Sequence, residues 1–233
     1  MSELQGTFSY DNWKAQIANE PILARYEFEL YSDAWFVGEI TSELGPYQFF
    51  NLVSPMHTGY VRRSAVLRYS QYIRIETKID KTDPSRYHGG QASDEIAALA
   101  SLLMGSRIYA GGASRSFRPG GEPEGRPERL EFKAAPTLLV GPRGSILPNA
   151  LGQHSLMNLE KMVLYPKLTS SDAILLTRAA RLYQEALWLI ESEPHLSWLM
   201  IVSAVETIAD RYAQQNTPLE RLKECLSLHF FHY

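Results

Sequence analysis

Arginine side chains are concentrated in the middle of the chain, which predicts a site for an anion. Residues 81–169 hold eleven basic and eight acidic side chains, whereas the segments on either side have an acidic excess. The planar guanidinium group of arginine binds phosphate or carboxylate through paired hydrogen bonds. We therefore expect Arg107, Arg115 and Arg118 to converge on an anionic ligand such as RNA or a nucleotide.

A second interpretation of the same residues needs no ligand. Glu122, Glu124 and Glu128 follow the arginines closely and could neutralise them within a solvated loop. Charge runs of this kind are usually solvated surfaces. The sequence leaves both interpretations open.

Two acidic residues, Glu206 and Asp210, stand four positions apart in a predicted helix. Like charges at this spacing repel by a few tenths of a kcal/mol. Either an arginine from a neighbouring helix or a cation offsets the repulsion, or both side chains are simply solvated. We interpret them as residues with a structural or supporting role and not as catalytic residues.

The motifs of several enzyme classes are absent from the sequence. It contains no Gly-x-Ser-x-Gly elbow, no phosphate-binding Gly-Lys-Ser/Thr loop and no His-Glu-x-x-His pair. His229 and His232 could share a helical face as a weak metal site, although a frayed terminal helix is the simpler interpretation. Cys225 is the single cysteine and can form no internal disulfide. We predict no catalytic residue, no metal and no cofactor.

Strands are predicted in the first third of the chain. Residues 26–31 alternate apolar and charged side chains, and residues 69–79 alternate as well. Gly45-Pro46 is typical of a turn between strands. These patterns predict a mainly antiparallel sheet.

One helix and one loop are predicted next. Ser93 is suited to the N-cap of a helix near 93–104, and Gly105 can end that helix in a left-handed conformation. Residues 111–127 contain five glycines and three prolines. Their composition predicts a long, mobile Gly/Arg-rich loop.

The last third of the sequence is helical by pattern. Ser170 or Ser171 is predicted to cap a helix that runs to about residue 193, and a second helix follows Pro194 at once. So short a link makes the two helices antiparallel neighbours. Thr217-Pro218-Leu219-Glu220 is a capping box that predicts a third helix, and the chain ends soon afterwards. This early end predicts either a docked terminus or a chain cut short.

The fold class predicted from these patterns is α+β. We expect a β-rich, mainly antiparallel N-terminal domain over residues 1–150, followed by a C-terminal antiparallel helical bundle over 151–233. The net charge of −3 provides no overall basic field for nucleic acid. No apolar run approaches the roughly 20 residues of a membrane span, and no signal-peptide pattern is found. We therefore expect a soluble, cytoplasmic protein without a membrane partner.

Two stretches resemble uncharacterised bacterial proteins with an Apea-like HEPN domain. The first is Asp94-Glu95-Ile96-Ala97-Ala98-Leu99-Ala100-Ser101-Leu102-Leu103-Met104-Gly105-Ser106-Arg107-Ile108, followed by Gly111-Gly112 and Arg115. The second is Trp198-Leu199-Met200-Ile201-Val202-Ser203-Ala204-Val205-Glu206-Thr207-Ile208, preceded by a helix that carries Tyr183 and Ala186. The resemblance covers roughly residues 94–118 and 171–212.

The resemblance implies a helical bundle, a homodimer through the helical part and an association with RNA or nucleotides. Many HEPN proteins are metal-independent ribonucleases of bacterial toxin or defence systems, and their active sites carry an arginine, four to six residues, then a histidine. Here Arg221 and His229 are separated by seven residues. Glu206 matches a glutamate of the family's helix pattern.

Two hypotheses follow from the missing motif. In the first, the chain is a ribonuclease whose Arg–His motif lies beyond Tyr233. In the second, it is a non-catalytic sensing or dimerisation module that binds a protein or an anionic ligand. The residues in hand favour the second for this chain, whereas the resemblance favours the first for a longer protein.

Overall fold

The computed structural model describes residues 6–52, 61–74, 91–118, 138, 145–147 and 151–214. These residues form four α-helices, a long 3₁₀ segment and seven strands. The elements in chain order are α1 (Phe8–Ile17), β1 (Ala24–Ser32), β2 (Trp35–Val37), β3 (Glu39–Leu44), β4 (Tyr47–Asn51), β5 (Arg62–Gln71), α2 (Ala92–Met104), β6 (Tyr109–Phe117), β7 (Gln153–Ser155), the 3₁₀ segment (Leu156–Lys167), α3 (Ser170–Leu189) and α4 (Pro194–Gln214).

Five strands form an antiparallel sheet in the order β3-β4-β5-β1-β6. The predicted turn at Gly45-Pro46 is confirmed, because it joins β3 to β4. The two remaining strands, β2 and β7, form a separate parallel pair. Strand β1 therefore lies inside the sheet, between β5 and β6, where both of its edges are paired.

The alternation of residues 26–31 places the two faces of β1 in different surroundings. Phe28 and Leu30 belong to the hydrophobic core between the sheet and the helices. Glu27 and Glu29 point the opposite way, because successive side chains of a strand alternate between faces. We call this opposite side the outer face of the sheet. Both glutamates are buried there, at 0% and 3% exposure.

The core lies between the inner face of the sheet and a layer of helices. Residues of α1, α2, the 3₁₀ segment and α3 all belong to one buried cluster with the strands. Aromatic rings dominate the part beneath α1, where the Trp13 and Tyr47 rings meet edge to face with centroids 5.6 Å apart. The described residues on either side of the predicted domain boundary at residue 150 thus share this core.

Helix α2 shows how local signals set its ends. The predicted C-terminal cap is confirmed, since Gly105 has a φ of +63° and ends the helix in the left-handed region. The predicted N-cap at Ser93 is wrong, because the cap is Gln91, whose amide nitrogen donates to Asp94 Oδ2 at 2.9 Å. Ser93 lies inside the first turn and is buried.

The two long helices are antiparallel neighbours, as predicted. Ser197 Oγ, near the start of α4, donates to the carbonyl oxygen of Ala186, near the end of α3, at 2.8 Å. At the other end, Arg211 Nε donates to Asp172 Oδ1 at 2.8 Å. Thr169 caps α3 through its side chain, which accepts from the amide nitrogen of Asp172. The predicted third helix from Thr217 lies outside the described residues.

The predicted fold class is wrong in its second half, because the described helices do not form a separate bundle. The antiparallel sheet is followed by helices, but α3 packs against α2, which itself lies on the sheet. Gln184 of α3 donates to the carbonyl oxygen of Ile108 at 2.5 Å, so α3 is bound to the residue before β6. Helix α3 is buried between α2 and α4, which explains why buried residues occupy two of its sides.

Two predicted segments differ from the structure. Residues 111–117 belong to strand β6 and not to a loop, because β6 pairs with β1 along most of its length. Glycine fits at position 111 because the Tyr31 ring lies so close that a Cβ atom there would come within 2.5 Å of it. The strand predicted over 69–79 is displaced to Arg62–Gln71, and residues 75–79 of that prediction lie outside the described residues.

Candidate functional site

Arg107 is placed inside the protein, and its three nitrogens all have internal acceptors. The side chain is fully buried, with Nη1 2.5 Å from Asp33 Oδ2 and Nη2 2.6 Å from Glu191 Oε1. Its Nε donates to the carbonyl oxygen of Leu187 at 2.7 Å. Arg107 therefore joins the end of β1 to the end of α3 and presents no exposed surface to a ligand.

The carboxylates around Arg107 have opposite pKa shifts. Burial raises the pKa of Asp33, although the guanidinium of Arg107 opposes this effect. Burial would also raise the pKa of Glu191, but hydrogen bonds from Ser145, the amide of Ile146 and Arg107 hold that pKa below its usual value. Asp33 Oδ1 is buried without a hydrogen-bond donor, so Arg107 carries most of the compensation for this carboxylate.

Arg115 lies on the outer face of the sheet and shares a carboxylate with Arg68. Arg115 Nε donates to Glu27 Oε2 at 2.6 Å, and Arg68 Nε donates to Glu27 Oε1 at 2.7 Å. One buried carboxylate thus faces two guanidinium groups. These three side chains lie on β6, β1 and β5.

The next pair along the outer face is neutral. Arg63 Nη1 lies 3.1 Å from Glu29 Oε1, and the Tyr31 hydroxyl donates to Glu29 Oε2 at 2.9 Å. Hydrogen bonding to Glu29 and burial both raise the pKa of Tyr31, burial being the larger cause. Glu27 is therefore shared by two guanidinium groups, whereas Glu29 is bound by one guanidinium and one phenol.

Arg115 retains hydrogen-bonding capacity that no other described residue uses. Its side chain is 25% exposed, and its Nη2 is a buried atom with no acceptor. The guanidinium also lies over the Phe117 ring, 5.4 Å from the ring centroid. A buried N–H without an acceptor costs free energy, so an anionic acceptor at this position would stabilise it.

Arg118 lies just beyond β6 and is exposed. It is near Arg115 in the chain, whereas Arg107 is held elsewhere. Asp33, the partner of Arg107, directly follows β1 and is six residues from Glu27, the partner of Arg115, which corresponds to about 20 Å along an extended chain. The three predicted arginines therefore do not meet as one site.

Glu206 and Asp210 are exposed on α4. Neither forms an ion pair with another described residue, so the predicted compensating arginine is not found in this part of the chain. The nearby Arg211 is bound to Asp172 instead. No group of three or more metal-binding side chains occurs among the described residues, and His229 and His232 lie outside them.

Helix α4 carries an apolar surface that no described element covers. Trp198 is 65% exposed and Val205 is 62% exposed, while Val202 is half-buried and Ala209 is exposed. These four residues follow one another along the same side of the helix. We call this surface the α4 flank. Large exposed apolar patches on a protein surface mark interaction sites.

Sequence reasoning missed a buried polar cluster beneath α1. The Glu95 carboxylate accepts from the amide nitrogens of Phe8 at 3.3 Å and Ser9 at 2.7 Å. The Tyr165 hydroxyl lies 2.6 Å from Thr7 Oγ1 and 3.1 Å from Ser9 Oγ in the same cluster. Burial raises the pKa of Glu95 to about 7.

The acidic residues of β1 were also missed, although their pattern was visible. The alternation over 26–31 indicated that Glu27 and Glu29 share a face, and a charged face of a strand is usually solvated. The partners of Glu27 are Arg68 and Arg115, which lie 41 and 88 residues away in the chain. No local pattern identifies partners at such distances.

Comparison with family models, with curated proteins and with solved structures finds no match. The class of this protein is therefore defined by its own geometry alone: an antiparallel sheet covered by helices, with an arginine-rich outer face and an exposed apolar helix flank. No helix among the described residues combines the length and the hydropathy that a membrane span requires.

Proposed function

We propose that this chain is a non-catalytic dimerisation module in which two copies associate through the α4 flank. The observation that carries the proposal is the exposure of Trp198 and Val205 on one side of a helix that packs on α3 with another side. Burial of such side chains contributes about 1.5–3 kcal/mol each for large apolar residues. Binding of a partner surface that covers these side chains would gain this free energy.

The α4 flank is complementary to itself. Trp198, Val202, Val205 and Ala209 follow at spacings of four, three and four residues, which read the same in both directions. In an antiparallel pair of α4 helices, Trp198 of one copy would face Ala209 of the other, and the two valines would face each other. A large side chain against a small one fills the contact without a clash, as a two-fold interface requires.

The charges beside the flank favour the same antiparallel arrangement. Glu206 and Asp210 are exposed near the C-terminal half of α4, and His195 is exposed at its N-terminal end. An antiparallel contact brings each acidic pair towards the partner's helix N-terminus, where negative charge is stabilised. This arrangement would also provide the compensation that Glu206 and Asp210 lack within the described chain.

The resemblance to Apea-like HEPN proteins is compatible with this proposal. In that family, dimers bring two Arg–His motifs together, and no such motif occurs in this sequence. We therefore propose dimerisation without ribonuclease chemistry for this chain. A role in bacterial defence would follow only from that resemblance.

Binding of RNA is a second candidate function, and a specific observation favours it. Arg115 has a buried Nη2 without an acceptor, and Arg118 is exposed at the end of the same strand. Arginines on a sheet face suit the phosphates of single-stranded nucleic acid. We rank this candidate second because Arg107, the third predicted arginine, is enclosed within the protein.

Light scattering after size exclusion tests the dimer. The full chain should elute with twice the mass of the 26.4 kDa monomer at micromolar concentrations, and Trp198→Glu and Val205→Glu should shift it to the monomer. The matched control is Leu199→Glu, because Leu199 is 61% exposed on the same helix but lies about 100° around the axis from Trp198.

Two results would contradict the proposal. One is a monomer at every concentration up to the millimolar range. The other is a dimer that Leu199→Glu disrupts as strongly as Trp198→Glu does, since this would place the contact on another side of α4. Circular dichroism of each variant separates loss of association from loss of folding.

A further inference from the structure

A fully buried carboxyl group of α2 holds the start of helix α1. Glu95 accepts hydrogen bonds from the first two amide nitrogens of α1, those of Phe8 and Ser9. The N-cap Thr7 accepts from the next amide nitrogen, that of Tyr10. The first amides of a helix have no partner within the helix. The first turn of α1 therefore depends on one side chain of another element for two of its hydrogen bonds.

Glu95 has no cation beside it to balance a negative charge. No ion pair of the described residues includes Glu95. The charged side chains of α1 have other neighbours, because Asp11 accepts from the amide nitrogen of Gly6 at 3.0 Å and Lys14 Nζ lies 6.0 Å from the centroid of the Tyr10 ring. Burial of an unpaired carboxylate is costly. The closed position of α1 thus favours the neutral form of this carboxyl group.

The other titratable groups that face Glu95 are phenols. Burial is the main cause that raises the pKa of Tyr47, Tyr69 and Tyr165, and the charge of Glu95 adds to it. These phenols stay neutral around pH 7, so Glu95 is the group of this cluster that changes its charge there. The charged residues of the neighbouring elements are exposed or have other partners: Glu160, Lys161 and Lys167 are exposed, Asp94 accepts from Gln91, and Asp172 accepts from Arg211.

Helix α1 can open without disrupting the sheet. It has ten residues, and its first six, Phe8-Ser9-Tyr10-Asp11-Asn12-Trp13, are of types with modest helix propensity. Isolated helices shorter than about 12–15 residues are marginal in water. The helical structure of α1 therefore depends on its docking against the core. It contributes no strand to the five-stranded sheet, so its release would leave the pairing of β1 with β5 and β6 intact.

We propose that Glu95 is a pH-sensitive latch for α1: the protonated carboxyl holds the helix closed, and its ionisation releases the helix into a locally open state while the sheet stays folded. In the open state Glu95 meets water, and its pKa returns to the ordinary value of 4.5. The closed state is therefore favoured fully below pH 4.5 and loses this advantage as the pH rises through about 7. Opening would uncover the core rings of Tyr10 and Trp13. The latch does not depend on dimerisation through the α4 flank.

Residue-resolved amide hydrogen exchange of the full chain tests the latch. After correction for intrinsic exchange rates, the amides of α1 should open more often than those of β1, and denaturant should affect this opening only weakly, because local opening exposes little surface. The opening equilibrium of α1 should rise by about tenfold between about pH 5.5 and about pH 7.5. Glu95→Gln should remove this rise. The matched control is Glu193→Gln, which changes an exposed glutamate and should keep it.

Two results would overturn the proposal. One is equal protection of the α1 and β1 amides in the unaltered protein, since α1 would then open only by global unfolding. The other is an equal rise with pH in the unaltered protein and in Glu95→Gln. If Glu95→Gln folds poorly, Glu95→Leu also removes the titrating group and should abolish the rise. The comparison of α1 with β1 needs no variant.

Discussion

The Nη2 atom of Arg107 lies 2.6 Å from Glu191 Oε1. This contact joins the short segment before β6 to the short segment after α3. Both side chains are almost fully buried in this contact, at 0% and 2% exposure. Glu191 also accepts from Ser145 Oγ and from the amide nitrogen of Ile146. The sheet, the helical layer and the 145–147 segment are thus connected at a single ion-pair cluster.

Replacing Arg107 by methionine should destabilise the protein strongly. The change keeps the volume but leaves Asp33 and Glu191 buried without their cation, and breaking a buried pair in this way costs about 3–5 kcal/mol. Urea unfolding followed by circular dichroism measures the loss. Arg118→Met is the control, because Arg118 is exposed and its loss should change the free energy of unfolding by less than about 0.5 kcal/mol. Equal losses in the two variants would contradict the structural role of Arg107.

Glu95 should make stability depend on pH in the direction opposite to most carboxylates. Burial raises its folded-state pKa to about 7 from an ordinary value of 4.5. The folded state therefore holds the proton more tightly than the unfolded state. The stabilisation from this proton is complete below pH 4.5 and is lost as the pH rises through 7.

Glu95→Gln isolates that effect. Between pH 4.5 and about pH 7, the free energy of unfolding of the unaltered protein should fall relative to that of the variant by up to about 1.4 kcal/mol per pH unit. Guanidinium unfolding at several pH values measures this difference. A constant difference between the two proteins from about pH 5 to about pH 8 would show that Glu95 keeps an ordinary pKa.

Gly45→Ala should be more costly than Gly105→Ala, although both glycines have positive φ. Gly45 has a φ of +57°, and a Cβ atom there would lie 2.2 Å from Trp13 Nε1. Gly105 has a φ of +63° with no heavy atom within 4 Å of that position. Backbone strain alone costs about 1–2 kcal/mol, so Gly105→Ala should lower the free energy of unfolding by that amount.

The clash at Gly45 should add about 1–3 kcal/mol to the strain, because the Trp13 indole is packed in the core and cannot move freely. Thermal unfolding of both variants measures the two losses. Similar melting temperatures would indicate that the β3–β4 turn can shift away from the indole.

Binding of single-stranded RNA should be weak, salt-sensitive and free of cleavage. If the outer face binds phosphates, the double variant Arg115→Ala/Arg118→Ala should bind less RNA than the unaltered protein at low salt, because each lost phosphate contact reduces counterion release. Fluorescence anisotropy with labelled RNA at two salt concentrations checks this. Equal binding by both proteins would exclude these arginines. Metal-independent cleavage that disappears in Arg221→Ala or His229→Ala would show that the chain is a ribonuclease after all.

Local signals in the sequence predicted several ends of elements correctly. Gly105 ends α2 because only a residue without a Cβ atom adopts the left-handed cap without strain. The short link before Pro194 was also predicted, since proline acts over a few residues, but the cap predicted at Ser170 or Ser171 is wrong, because Thr169 caps α3. The glycine-rich segment after Tyr109 was misread as a loop, because composition does not reveal the pairing of β6 with β1.

The sequence by itself determined the C-terminal end of α2, the antiparallel pairing of α3 and α4, which side of β1 is apolar and where the arginines are concentrated. Only the tertiary structure decided what those arginines do: Arg107 is enclosed by Asp33 and Glu191, while Arg115 and Arg68 meet at Glu27. The physical reason is that a cap or an alternating strand depends on neighbours in the chain. The state of a buried charge depends on which distant residues the sheet pairing and helix packing bring within a few ångströms of it.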